Sequence, residues 1–339
     1  MDKKVFDYKK RWQISSEPKG VETATKFQDF GTERINPDRY ISKDFMDAEW
    51  DKIWTKTWLM ACSSTDIKEV GDYFNFKIGK ESIIVMRSSE DSVHAFYNVC
   101  PHRGNRLFFD DFGFVKDIGC RFHGWKFNLD GTNQQVTDSE TFREEVLCFD
   151  LDLSKVKVEE ECGFIWVSMN DNIVSVREYL GEVAEHLDLY EINKMNVVRH
   201  AKSDWAANWK TGLESFYETY HLSFIHPQTQ GMMEDYYVPI DTWANGMNRM
   251  IVPFVEPSKR QEGKNLVNEA TNIMLADVGI EPSAFDGNAV DAKKAIQKKK
   301  REFSNKFDLG YERYTDAQLT DSFVYGIFPN IQLGCHPEG

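Results

Sequence analysis

Cys100-Pro101-His102-Arg103-Gly104-Asn105 and, further on, Cys120-Arg121-Phe122-His123-Gly124-Trp125 are the two segments that decide how this chain is read. Each opens on a cysteine and carries a histidine two or three residues later. Together they supply two thiolates and two imidazoles. Such a set can bind one zinc tetrahedrally. It can also hold a two-iron cluster, with both thiolates on one iron and both imidazoles on the other. Pro101, Gly104 and Gly124 shape two tight loops, each ending a strand. Loops of that kind aim backbone N–H groups at sulfur, which favours the cluster.

Working outward from these loops, strand patterns dominate. Val93-His-Ala-Phe-Tyr-Asn-Val99 runs straight into Cys100, Tyr73 to Ile78 alternates, and Ser82 to Met86 is rich in β-formers. A second β-rich stretch runs from Leu147 to Met169. Residues 45–170 are therefore expected to form an all-β domain, preceded by a polar segment, 1–44, that packs on a second domain. After residue 170 the period changes. Val176, Leu180, Val183, Leu187 and Tyr190 recur at helical steps, and Ser175 with Glu178 makes a capping box at the start. Residues 171–339 are expected to form an α+β domain, with helix through Ala292–Arg301.

Composition sets outer limits. At 339 residues, about two domains are expected. Asp and Glu total 55 against 41 for Lys and Arg, a formal charge of −14, which argues against a nucleic-acid partner. No apolar run approaches the roughly 18 residues of a membrane span, and charges occupy the N-terminus where a signal peptide needs an apolar stretch. A cytoplasmic location, away from membrane, is expected. The six cysteines are read as thiols or metal ligands rather than disulfides, with Cys62, Cys148 and Cys162 as buried thiols.

A second constellation lies in Asn208-Trp-Lys-Thr-Gly-Leu-Glu-Ser-Phe-Tyr-Glu-Thr-Tyr-His-Leu-Ser-Phe-Ile-His-Pro227. On one continuous helix, Glu214, Glu218 and His221 share a face. His226 is off that register, but Pro227 pushes the residue before it out of helical geometry, so the helix ends there and His226 can turn towards the same metal. His221 and His226 suit a 2-His-1-carboxylate Fe(II) site.

Both cysteine–histidine loops closely resemble those of Rieske proteins. The 208–227 segment is similar to the iron-binding helix of Rieske non-haem iron oxygenase α subunits, the terminal components of the aromatic-ring-hydroxylating dioxygenase family. The resemblance runs from about residue 40 to the end of the chain. It implies an α+β fold: an all-β Rieske [2Fe–2S] domain plus a helix-grip (START/Bet v1-like) antiparallel-sheet catalytic domain. It assigns Cys100 and Cys120 to the buried iron of the cluster, and His102 and His123 to the outer one. It assigns His221 and His226 to a mononuclear Fe(II). Glu218, three residues before His221, takes the place of a family carboxylate, usually Asp, that bridges to a Rieske histidine of a neighbouring subunit. Ser215 stands where the family often has Asn after the upstream Glu.

The third iron ligand in the family is an acid far downstream of the two histidines. Glu338 is the only carboxylate near the end of this sequence, and the ligand is expected beyond Gly339, in a longer α subunit. Phe328-Pro-Asn-Ile-Gln-Leu is read as a strand of the substrate-binding domain. Phe216, Tyr217 and Phe224 either line an apolar pocket or pack in the core. Lys298–Arg301 either docks an acidic ferredoxin or forms a solvated helix face.

The function implied is O2 activation and dihydroxylation of an apolar, aromatic substrate, as in aromatic hydrocarbon catabolism. An alternative is monooxygenation or oxidative demethylation of a methylated or quaternary amine, to which a Glu rather than Asp at position 218 points. A Rieske electron carrier without oxygenase activity is a reading of another class. No dinucleotide fingerprint is present. Electrons from NAD(P)H are thus expected through a ferredoxin and/or flavin reductase, and the resemblance implies that the chain receives them as a homotrimer, with or without a β subunit.

Overall fold

The computed structural model describes residues 31–236, 238–243, 245–261 and 266–338. Most of the N-terminal segment expected to pack on the second domain lies outside them. No helix among the described residues is long and apolar enough to cross a membrane. The chain divides into two compact units, one of Pro37–Tyr179 with Glu191–Asp204, the other including Leu180–Tyr190 and Trp205–Gly339.

In the first unit α1 (Lys43–Glu49) starts at Ser42, whose side chain accepts the Phe45 N–H. The expected start of the β domain at residue 45 thus falls inside a helix. Strands follow: β1 (Leu59–Ser63), β2 (Asp72–Ile78), β3 (Glu81–Ser89), β4 (Ser92–Tyr97), β5 (Phe112–Phe114), β6 (Ile118–Gly119), β7 (Lys126–Phe127), β8 (Asn133–Gln135), β9 (Lys155–Glu161) and β10 (Phe164–Ser168). Seven form an antiparallel sheet in the order β1-β10-β9-β4-β3-β2-β5, and β6-β7-β8 form a small second sheet.

The unbroken apolar run in β3 has a direct cause: both faces of that strand are buried. Ile83 and Val85 join a core with Leu59, Ile67, Ala95, Val156, Ile165 and Val167. Ile84 and Met86 point the other way, into a core that also contains Cys100, Cys120, Trp125 and Phe127. The two cysteine loops therefore grow out of packed hydrophobic structure. The expectation of three buried thiols needs correction. Cys62 is buried, and burial pushes its thiol pKa up. Cys162 is half-buried, and Cys148 is exposed on the short helical turn Glu144–Leu147 that its own N–H closes.

The helix expected over 176–190 forms in two pieces, α2 (Val176–Leu180) and α3 (Glu182–Asp188). Ser175 Oγ accepts the Glu178 N–H at 3.2 Å, as a cap should. The periodic residues Val176, Leu180, Val183, Leu187 and Tyr190 are all buried, so the pattern marks the core correctly. The break comes at Gly181, whose φ of 57° and ψ of −132° lie outside the range of other residues.

The second unit holds a four-stranded antiparallel sheet, β11 (Ile240–Thr242), β12 (Asn248–Val252), β13 (Ser322–Ile327) and β14 (Ile331–Cys335), in chain order. Phe328-Pro-Asn is the turn of the β13–β14 hairpin rather than part of a strand. Pro329 lacks the N–H a ladder needs, so the strand resumes only at Ile331. The remaining helices are α4 (Trp209–Glu214), α5 (Leu222–Ile225), α6 (Glu269–Asp277) and α7 (Ala289–Phe307). Helix α7 starts at a capping box made by Asn288 and Asp291 and buries Ala292 and Ile296 against Val255, Leu275 and Val278. Its basic run is largely spent within the chain. Lys299 pairs with Glu302 at 2.6 Å, Lys300 with Glu338 at 2.7 Å and Arg301 with Asp316 at 2.8 Å. Glu338, the last carboxylate of the sequence, is therefore the counter-ion of Lys300.

Candidate metal centres

Strand β4 delivers the first loop. Asn98, buried just past its end, accepts the N–H groups of Leu107 and Phe108 at 3.1 and 2.8 Å and donates to the Phe108 carbonyl at 2.8 Å. One amide side chain thus fixes both ends of the loop that presents Cys100 and His102. The β6–β7 hairpin presents the second loop. The two are built alike. Cys100 N–H donates to the Asn105 carbonyl and Cys120 N–H to the Trp125 carbonyl, both at 2.8 Å, and Gly104 and Gly124 N–H return to the carbonyls of Cys100 and Cys120. Gly104 and Gly124 have φ of 69° and 74°, the left-handed turn this closure requires.

The thiols are buried and the histidines half-exposed. Burial pushes Cys100 up to about 11, against the pull of the His102 N–H towards its sulfur. Burial opposes the Cys120 thiolate too, but the N–H groups of Phe122 and His123 overcome it and hold that thiol below its ordinary value. Burial, and then the neighbouring His123 and Arg103, lower the His102 pKa from its ordinary value. The two imidazoles stand 4.6 Å apart, centre to centre, and His102 stacks flat on Trp125 at 4.8 Å.

Two observations test which metal group fits. The Nδ1 atoms of His102 and His123 are both buried and lack any hydrogen-bond partner, a costly state unless they are ligand atoms. In addition, among the described residues no three of the four side chains bring ligand atoms within 4.8 Å of one another. A single tetrahedral zinc would gather its ligand atoms to about 4 Å. The wider spread fits a two-iron cluster.

In the second unit the structure corrects the single helix expected over 208–226. Helix α4, capped by Asn208, ends at Glu214, and α5 begins only at Leu222. Ser215 Oγ donates back to the Gly212 carbonyl at 2.8 Å, and buried Thr219 donates to the Asp235 carbonyl at 2.9 Å. These side-chain bonds compete with the helical ladder and turn the chain. Glu214 consequently does not share a helical face with Glu218 and His221. Pro227 acts as expected: α5 stops at Ile225, and His226 sits at φ −127° and ψ 54°.

The break leaves Glu218 and His221 together. The carboxylate accepts the His221 backbone N–H at 3.1 Å and a short hydrogen bond from its ring Nδ1. That bond fixes the tautomer and leaves Nε2 as the nitrogen of His221 that could bind a metal. The rings of His221 and His226 stand 5.6 Å apart at 71°. Two neighbouring imidazoles, one braced by a carboxylate, could supply the two histidine ligands of a 2-His-1-carboxylate iron site. Among the described residues no third side-chain ligand atom gathers with theirs.

Beside α4 lies an open pocket of about 380 Å³, lined in part by Trp205, Trp209, Phe216, Asn208, Asn330 and Gln332. Of the three aromatics singled out in the sequence, only Phe216 lines it. Tyr217 is half-buried beside Asn248, and Phe224 is 80% exposed. The two tryptophans were missed, although their spacing of four residues, with Trp209 opening α4, is visible in the sequence.

Comparison with known proteins agrees with this geometry. Residues 57–150 match the family described as the Rieske [2Fe-2S] domain, and residues 192–339 match the ring hydroxylating alpha subunit catalytic domain. The chain is similar to the carnitine monooxygenase oxygenase subunit of Acinetobacter pittii (strain PHEA-2), 31% identical over 56% of this chain and 51% of that protein. It is similar to the glycine betaine monooxygenase oxygenase subunit of Pseudomonas aeruginosa (strain UCBPP-PA14), 29% identical over 56% and 44%. The fold is like that of naphthalene 1,2-dioxygenase with indole bound, at a TM-score of 0.62 and 24% identity, over 88% of this chain and 65% of that one. The chain spans about half the length of the curated relatives it matches.

Proposed function

The chain belongs to the Rieske non-haem iron oxygenase α subunits, and from that premise we propose that it is the terminal oxygenase of a system that hydroxylates a methylated, quaternary ammonium substrate. In this family the two matched domains hold a [2Fe–2S] cluster and a mononuclear iron. When bound, the first supplies single electrons and the second activates O2. Cys100 and Cys120 would hold one cluster iron, His102 and His123 the other, and His221 with His226 the mononuclear iron. Glu218 orients His221 through Nδ1, so that Nε2 is the nitrogen that would bind the metal. Its side chain stays 40% exposed, which leaves it able to meet a Rieske histidine of a neighbouring subunit in a homotrimer. A ferredoxin or flavin reductase supplies the electrons.

The substrate reading reverses the order given by sequence, where aromatic dihydroxylation came first. The observation that carries it is the similarity to two subunits named for carnitine and glycine betaine, both trimethylammonium compounds. A quaternary nitrogen has no N–H to donate, so a protein recognises it through aromatic faces. Trp205, Trp209 and Phe216 offer such faces in one pocket. The test is O2 uptake and product mass spectrometry with a reconstituted electron donor, comparing trimethylammonium compounds with benzene and naphthalene. Oxygenation of the ammonium compounds is expected. Oxygenation of the aromatics alone would overturn this reading.

A further inference from the structure

The last residue of each ligand loop reaches across to a ligand of the other loop. Trp125, which closes the second loop, stacks on His102 of the first. Asn105, which closes the first loop, points its side-chain Nδ2 at Cys120 Sγ of the second, at 3.7 Å, within reach for a hydrogen bond to sulfur. The same Nδ2 donates to the Arg106 carbonyl at 2.7 Å, which holds the amide with its N–H side towards the sulfur and its oxygen away. The bracing is chemically unequal: among the described residues Cys120 Sγ has a side-chain amide donor, whereas the aromatic Trp125 gives the opposite loop only a stacked ring.

We propose that Asn105 is a positioning residue that raises the reduction potential of the cluster through its N–H to Cys120. The proposal rests on the reading of the four loop residues as cluster ligands. One-electron reduction adds one negative charge to the cluster and its thiolates. A fixed N–H dipole at a ligand sulfur stabilises that charge more in the reduced than in the oxidised state. Removing the donor therefore makes the cluster harder to reduce. Asn105 is also half-buried at the cluster's side, so the N–H acts where water competes poorly for the sulfur.

The test is the midpoint potential of the full chain, followed by the reduced-state EPR signal during redox titration. Wild type must first show the Rieske signal, and its absence would overturn the ligand reading itself. Asn105→Leu, of similar size but with no N–H, is expected to shift the midpoint downward while keeping the EPR line shape. Asn105→Asp, which keeps the shape and replaces the donor by a charged acceptor, is expected to shift it further down. An Asn105→Leu cluster with wild-type signal and wild-type midpoint would overturn the proposal. Should Asn105→Leu fail to load its cluster, Asn105→Asp decides: a midpoint equal to wild type overturns it.

Discussion

Glu218 grips His221 at two points, taking the backbone N–H on one carboxylate oxygen and the ring Nδ1–H on the other. The grip spans only three residues, so it forms inside the turn that breaks the helix. It prepares the ring before any metal arrives. Loss of a carboxylate that orients a ligand histidine lowers metal affinity by about 10–100-fold. Glu218→Ala is accordingly expected to lose mononuclear iron by that factor while keeping the visible spectrum of the cluster. Metal analysis during chelator titration measures it. Unchanged iron retention would show that the turn alone orients the ring.

Removal of His221 separates the two centres. His221→Ala should leave about two irons per chain where wild type has about three, given a two-iron cluster. Turnover should vanish while the reduced-state EPR signal persists. An electron carrier without oxygenase activity would instead hold two irons before and after the substitution, and iron quantitation distinguishes the two directly.

The degree to which these centres could be read from sequence follows from how local each one is. The two cysteine–histidine loops were legible as tight loops because Cys100 to Asn105 and Cys120 to Trp125 close on themselves, each through a bond between its own first and last residues. The buried face of 176–190 was legible because periodicity records burial. The helix through 215–221 was misread because its break depends on Thr219 finding Asp235, sixteen positions away. The bond from Asn105 to Cys120 was invisible for the same reason, since it joins two loops whose spacing in the chain says nothing of their spacing in the fold.

The two loop glycines should differ in tolerance although their backbones match. Both sit in the left-handed region, which costs a non-glycine residue about 1–2 kcal/mol. A Cβ at Gly104 would meet open space, so Gly104→Ala should cost little beyond that strain. A Cβ at Gly124 would lie 2.9 Å from Thr137 Oγ1, and the second loop would have to move. Gly124→Ala is expected to melt at a lower temperature than Gly104→Ala and to bleach faster under a chelator. Equal behaviour of the two variants would mean that Thr137 rotates away freely.

Acid stability should depend on a histidine that belongs to neither set of proposed ligands. His186 is 1% exposed, packed against Trp243 and Tyr325, and accepts at Nδ1 from Arg249 at 3.4 Å. Arg249 is itself buried and paired with Asp241 at 2.5 Å, so its charge stays fixed. Burial, and then the Arg249 charge, push the His186 pKa down to about 3 from an ordinary 6.5. The folded state thus binds no proton at His186 where the unfolded chain does. Below about pH 6 this costs about 1.4 kcal/mol of stability per pH unit, until the folded histidine itself titrates near 3. Above pH 7 it contributes nothing to the pH dependence. His186→Gln, neutral throughout, should flatten the acid limb of stability measured by urea unfolding at pH 7 and pH 5. Parallel losses in wild type and variant between those two pH values would assign the acid limb to other groups.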